Sequence, residues 1–319
     1  MKIQFAAYFL EFKYPFVLSV GTRTHTPVIY VKLEDSGITG FGEATLPPYL
    51  PDTQKSVIHF LKSIDLQEFN LPFDLEKIHN YLDTFPGNYP AKAALDIALH
   101  DLLGKYQRVS VSELMGISGN NYPFCTYTLG MGDKESITKK INDAKDFEYF
   151  KLKLGGENDK EIVGYFKTLT DKQFCIDANQ GWKDKEHALK MVYWLKEMGA
   201  TLIEQPLPKN NYHDFRWLRE QSPLPIIADE SVQTIEDLRK YPECFDGINI
   251  KLMKCGGLFK GKKLINQANY LKMKVLIGCM SESSCGVTAA AHLTPLADLA
   301  DLDGPYLIKN DPFQGMKVK

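Results

Sequence analysis

Tyr149-Phe150-Lys151-Leu152-Lys153, followed at once by Gly155-Gly156 and the helical stretch Asp159–Leu169, decides the fold of this chain. Side chains alternate across a strand, so Lys151 and Lys153 share one face. An isolated soluble strand would turn that face to water. A strand that passes through a short glycine loop into a helix is instead one βα unit, with both ammonium groups at the strand's C-terminal end.

Working outward, the same form recurs. Apolar runs lie at Phe124–Thr128, Tyr149–Lys153, Phe174–Asp177, Thr201–Glu204, Pro225–Asp229, Gly247–Lys251, Lys274–Gly278 and Ala297–Asp301. They start roughly 20 to 30 residues apart, the length of a strand–loop–helix repeat. Helical patterns at Lys185–Met198, Ile235–Lys240 and Phe259–Leu271 fall between them. Eight parallel-type strands alternating with helices predict an α/β fold, a (β/α)8-type barrel over residues 116–305. Its catalytic residues belong at the C-terminal ends of the strands. Such a barrel falls below the ~200 residues of small members of its class, so its loops should be tight and closure should come from elsewhere.

The first 115 residues can supply that closure. Lys2–Phe12, Val17–Gly21, Pro27–Glu34 and Gly40–Ala44 read as antiparallel strands, with a turn at Glu34-Asp35-Ser36-Gly37. Helical stretches follow at Thr53–Ile64, Asp74–Asp83 and Ala91–Tyr106. Strands followed by helices predict an α+β capping domain over residues 1–115, to which the tail 306–319 is expected to return.

Composition narrows the function. A net charge of −2, with no basic block, argues against nucleic acid. No apolar stretch reaches membrane-spanning length and no signal-peptide pattern opens the chain, so a cytoplasmic protein is expected. The six cysteines form no C-x-x-C pair and read as reduced thiols.

The charged residues at the strand ends carry the chemistry. Lys151 and Lys153 end the second strand, Asp177 the third, Glu204 the fourth, Asp229 the fifth and Lys251 the sixth; Asp301 and Asp303 end the eighth. Strands four apart face each other across a barrel, so Lys153 and Lys251 should oppose one another over its mouth. The three carboxylates lie between them and suit a hard divalent cation such as Mg2+. A lysine acts as a base only when its pKa is depressed, which the cation, Lys151 and burial would all favour. Two such bases on opposite faces of one carbon can remove a proton from one side and return it from the other. The cation would bind the adjacent carboxylate and stabilise the enediolate formed on deprotonation. Asp301 and Asp303 would make an anionic pocket facing Glu204, across from the metal. A dipeptide fits that frame, its carboxylate at the cation and its α-ammonium at the aspartates. Arg23 could close over the site and pair with a further anionic group.

Taken singly, these residues have plainer readings. Asp229 could cap a helix, and each lysine could be a solvated strand end. Trp182 and Trp194 read as packing residues, and His100 and His292 as satisfied core histidines. The joint arrangement on successive strands is what resists dismissal.

Lys151-Leu152-Lys153, Asp177-Ala178-Asn179-Gln180-Gly181-Trp182, Ile203-Glu204-Gln205-Pro206, Ala228-Asp229-Glu230-Ser231 and Asn249-Ile250-Lys251-Leu252-Met253-Lys254 together resemble the muconate-lactonizing subgroup of the enolase superfamily. Asp301-Leu302-Asp303 resembles the D-x-D signature of its dipeptide epimerases, in particular the L-Ala-D/L-Glu branch. The resemblance implies a modified, enolase-like barrel. It implies that Asp177, Glu204 and Asp229 bind one Mg2+ per subunit, and that Lys153 and Lys251 are the acid/base pair, a use of lysine and Mg2+ general to this superfamily. It further implies that Lys151 assists near the substrate carboxylate, that Asp301 and Asp303 hold the dipeptide ammonium, and that Arg23 pairs with a glutamyl side chain. The activity implied is epimerisation of a dipeptide from murein turnover, by an isomerase that can be a homo-oligomer. A lyase or cycloisomerase of the same subgroup, such as o-succinylbenzoate synthase, would leave the Asp pair without a purpose. A catalytically idle binding barrel would be expected to lack a lysine or a ligand. One departure is that the chain stops at Lys319, where related proteins continue with a strand that completes the cap.

Overall fold

The computed structural model of the protein describes residues 1–18, 21–119 and 122–315. Strands β1 (Lys2–Leu18), β2 (Gly21–Asp35) and β3 (Ile38–Thr45) form an antiparallel sheet in that order. Helices α1 (Gln54–Ser63), α2 (Leu75–Asp83), α3 (Tyr89–Gln107) and the single turn α4 (Val111–Leu114) follow. The four apolar runs expected here therefore make three strands. Lys2–Phe12 and the start of Val17–Gly21 belong to one long strand, whose register with β2 shifts between Glu11 and Phe16. Pro15, with no N–H for the ladder, lies in that irregular interval. Residues 19 and 20 of the Val17–Gly21 run fall outside the described residues.

Between β2 and β3 the chain turns at Ser36-Gly37, both with positive φ (52° and 77°), as a two-residue hairpin requires. Helix α3 then lies directly on the β3 backbone. A Cβ on Gly42 would stand 1.9 Å from the Ala94 carbonyl oxygen, and one on Gly40 would stand 2.1 Å from that of Ala98. The Ala-rich helix and the glycines of β3 are thus one packing solution.

The second part alternates strand and helix: β4 (Thr126–Leu129), α5 (Lys134–Asp143), β5 (Tyr149–Lys153), α6 (Asp159–Leu169), β6 (Gln173–Asp177) and α7 (Lys185–Glu197). Then come β7 (Ala200–Glu204), α8 (Tyr212–Gln221), β8 (Ile226–Ala228), α9 (Ile235–Lys240), β9 (Gly247–Lys251), the turn α10 (Leu252–Cys255) and α11 (Leu258–Tyr270). Strand β10 (Lys274–Gly278), α12 (Ser284–Ala291), β11 (Leu299–Asp301) and the turn α13 (Gly304–Leu307) complete it. The eight strands hydrogen-bond in the order β4 to β11, all parallel. The Ala300 N–H donates to the Phe124 carbonyl at 3.0 Å, beside a Cys125–Ala300 bridge, and nearly closes the barrel.

Alternation along β5 sets the layers. Phe150 and Leu152 face outward into the core shared with the helices, against Phe166 and Phe174. Tyr149 faces inward and, with Cys175, Leu202, Ile227, Leu276 and Leu299, plugs the lower barrel. Lys151 and Lys153 follow on that inward side, so the charged layer stands on an apolar floor. From the tail, Ile308 bridges Phe12, Lys309 N–H donates to the Glu11 carbonyl at 2.9 Å, and Phe313 meets Tyr30 and Phe41 edge-on.

Candidate active site

Strand register builds the site. Lys153 pairs with Asp177 and Asp177 with Glu204 across β5, β6 and β7, so three charged residues stand at one height. Asp229 follows directly after β8. One oxygen from each of Asp177, Glu204 and Asp229 lies within 4.8 Å of the other two, and all three residues are buried. Glu204 Oε2 touches Lys151 Nζ at 2.7 Å but receives no hydrogen bond. Burial and the Asp177 charge push its carboxyl up to about 7. Three converging buried carboxylates fit a hard divalent cation held by Asp177, Glu204 and Asp229.

The lysines occupy distinct positions. Lys153 Nζ donates to Asp177 Oδ2 at 2.5 Å, and Lys251 Nζ donates to Asp229 Oδ2 at 2.8 Å. Both line one pocket although their strands are four apart in the barrel. Burial and the Lys151 charge push the Lys251 amine down, but the charges of Asp229, Tyr49 and Glu204 together outweigh them and hold its pKa well above the usual lysine value. Lys151 is more deeply buried and is absent from the pocket wall. It reaches Glu204 and Asp301 at 2.7 Å each and Asp177 at 3.3 Å.

Asp301 and Glu204 come from strands four apart, and the Lys151 ammonium stands between them at 2.7 Å from each. One correction concerns the aspartates, which do not share a strand: β11 ends at Asp301, and Asp303 precedes α13. Asp301 is engaged by Lys151 and by the Thr126 hydroxyl, which donates at 2.7 Å. Asp303 accepts the Thr128 N–H at 2.6 Å, and burial together with the Asp301 charge raises its pKa to about 7. Both still line the pocket. Arg23, on the β2 arm of the long hairpin, lines it as well. Its guanidinium lies 5.5 Å and 5.6 Å from the Phe16 and Phe12 rings, and Nη1 is buried with no hydrogen-bond partner among the described residues.

Residues 4–116 match the family described as mandelate racemase/muconate lactonizing enzyme, N-terminal domain, and residues 136–303 match enolase C-terminal domain-like. The chain belongs to the enolase superfamily. All of it aligns, at 44% identity, with 84% of an L-Ala-D/L-Glu epimerase from Bacteroides thetaiotaomicron, and at 36% with 94% of an L-Ala-D/L-amino acid epimerase from a Maribacter species. Among solved structures, the dipeptide epimerase of Enterococcus faecalis, complexed with Mg and L-Leu-L-Tyr, superposes with a TM-score of 0.92. It is 29% identical, over 99% of this chain and 94% of that one.

In this superfamily barrel several supporting residues escaped the sequence reading. Lys254 is buried, and its Nζ donates to the Asp229 carbonyl at 2.7 Å and side chain at 2.5 Å, and to the Asn249 carbonyl at 2.9 Å. Asn249 Nδ2 donates to Glu204 Oε1 at 2.9 Å. Gln205 Oε1 accepts the Asp229 and Ser231 N–H groups and so fixes where β8 ends. Glu230 and Tyr49 add to the pocket wall. Asn249, Lys254, Gln205 and Glu230 stand within the motifs that carry the family resemblance but were given no role; the further signals were the spacing of three between Lys251 and Lys254 and the inward position of Asn249 on β9. The plainer readings of four residues hold. Trp182 is buried core and donates its indole N–H to Asp159 at 2.8 Å, and Trp194 packs against the same core. His100 contacts Asp96, and His292 pairs with the Ser112 hydroxyl. Asp229 caps no helix; Thr234 caps α9.

Proposed function

We propose that the protein is a Mg2+-dependent dipeptide epimerase that inverts the Cα of the C-terminal residue, with L-Ala-D/L-Glu from murein turnover as its substrate. The observation that carries this reading is that Lys153 and Lys251, from strands four apart, line one pocket beside the carboxylate triad. The named relatives support an isomerase of this class.

In this reading the substrate carboxylate faces the triad, and its Cα lies between the two amines. One lysine, neutral, takes the α-proton from its face; the other, as ammonium, returns a proton to the opposite face. A divalent cation bound at Asp177, Glu204 and Asp229 supplies positive charge to the substrate carboxylate and offsets the anions that hold Lys251 protonated. Lys151, locked among three carboxylates, is an electrostatic anchor and no proton carrier. The α-ammonium goes to Asp303 and Asp301, where Asp303 has the less committed oxygen. Arg23 offers its unpartnered Nη1 to a glutamyl carboxylate. The test is L-Ala-L-Glu with Mg2+ in D2O. Deuterium entering the second residue's α-position with formation of the L,D product is expected; a folded protein that incorporates none sinks the reading.

A further inference from the structure

The aspartate that holds the ammonium in the proposed pose also fixes where the first residue's side chain begins, because both groups leave one carbon. Asp303 stands at the start of α13 and Leu307 ends it, one turn further along, so the two lie on one side of that turn. The Tyr306 N–H donates to the Asp303 carbonyl at 2.8 Å and closes the turn. From β4, Thr128 donates its N–H to the Asp303 side chain. Thr128, Leu307 and Phe16 line the catalytic pocket and also a second, smaller cavity against Tyr14 and Tyr127. These three side chains are therefore the partition between the two spaces. The space behind them holds no more than about one water, so a longer side chain has nowhere to go while the partition stands.

The partition is anchored from both sides. Tyr306 meets Phe147 edge-on at 5.0 Å, and Ile308 bridges Phe12 of the cap, so Leu307 is held through both of its chain neighbours. At the other end of α13, a Cβ on Gly304 would stand 2.6 Å from the Glu282 carbonyl oxygen, which leaves the turn no room to shift that way. Phe16 stacks on Phe12 with ring centres 5.6 Å apart. Side chains packed in this way do not absorb added methylenes without strain. We propose that Leu307, backed by Phe16 and Thr128, is the stop that limits the first residue of the substrate to a side chain of alanine's size. This rests on the dipeptide reading above.

The test compares kcat/KM for α-proton exchange at the second residue in D2O with L-Ala-L-Glu, L-Val-L-Glu and L-Leu-L-Glu, which differ only in the size of the first side chain. The unaltered protein should prefer L-Ala-L-Glu over L-Leu-L-Glu by about tenfold or more, the scale of overfilling a packed site. Leu307→Ala joins the two spaces, and that preference should fall by about tenfold or more. Leu307→Val removes one methylene and should lower the preference over L-Val-L-Glu in the same direction. Each ratio compares two substrates on one protein, so a smaller folded fraction of a variant leaves it unchanged. Should Leu307→Ala not fold at all, the unaltered protein and Leu307→Val still decide the matter. Equal rates on L-Ala-L-Glu and L-Leu-L-Glu with the unaltered protein, or ratios that neither variant moves, overturn the stop while leaving epimerisation of L-Ala-L-Glu standing. Exchange with none of the three dipeptides overturns the epimerase reading and the stop together.

Discussion

Lys153 and Lys251 each pair with a carboxylate that the proposed cation also needs, so the state of each amine is tied to the loading of the triad. A two-base site has a specific failure pattern. Lys153→Ala and Lys251→Ala should each reduce epimerisation by about 10²–10⁴-fold, the scale of a lost general acid or base. Either variant can still exchange the α-proton of the enantiomer served by the remaining lysine. Polarimetry alongside NMR in D2O separates the two effects, and near-normal racemisation by either variant would end the two-base account. At this scale the sequence was legible where alternation decides direction: Lys151 and Lys153 both face inward because they are two apart on β5. It was silent where residues act on other residues. Asn249, Gln205 and Lys254 steady Glu204 and Asp229 through side-chain geometry that no periodicity records, and the engagement of Asp301 by Lys151 depends on how narrow the barrel is.

The barrel elements follow from their apolar runs. Strands β5, β9 and β10 begin and end where those runs do, because a glycine or a charged residue bounds each of them. The hairpin resisted the same reading. Phe12 to Phe16 breaks the alternation, so one strand of irregular register reads as two. Packing of α3 on β3 was equally hidden, since glycine in a strand is neutral until a neighbour occupies the missing side chain's space. Gly42→Ala would put a methyl group into the Ala94 carbonyl, where the helix backbone can yield only by moving away. The expected cost is about 1–3 kcal/mol, the scale of overpacking a filled core. Chemical denaturation measures it, and an unchanged midpoint would show that α3 does not hold this close approach in solution.

Across the whole molecule, cap and barrel meet at a buried acidic seam beside the pocket. Glu43 of β3 accepts the Ser283 N–H at 3.0 Å, the Gly286 N–H at 3.0 Å, and the hydroxyls of Thr45 and Ser283 at 2.7 Å and 2.5 Å. Glu282 follows the pocket-lining segment Cys279-Met280-Ser281, and its Oε2 is buried with no hydrogen-bond partner among the described residues. Burial, then the charge of Glu43, raises the Glu282 carboxyl to about 8 from an ordinary value of 4.5. Glu43 is raised as well, chiefly by its own burial. Tyr30 and Asp311 add no positive charge, and the Met280 N–H and the Lys251 charge pull the Glu282 carboxyl down more weakly. A carboxyl raised in the folded chain keeps its proton over a range in which the unfolded chain has lost it. Folding is therefore favoured most below the ordinary value, and that contribution declines as the pH rises from about 4.5 to about 8. One such group changes stability by at most ~1.4 kcal/mol per pH unit. Glu282→Gln keeps the shape and a neutral donor without the titration. With Mg2+ held saturating, urea midpoints between about pH 6 and 8 should fall more steeply for the unaltered protein than for Glu282→Gln, because the variant lacks this one proton's share of the slope. Parallel slopes would mean that Glu282 is ionised in the folded chain at neutral pH and that the seam closes without its proton.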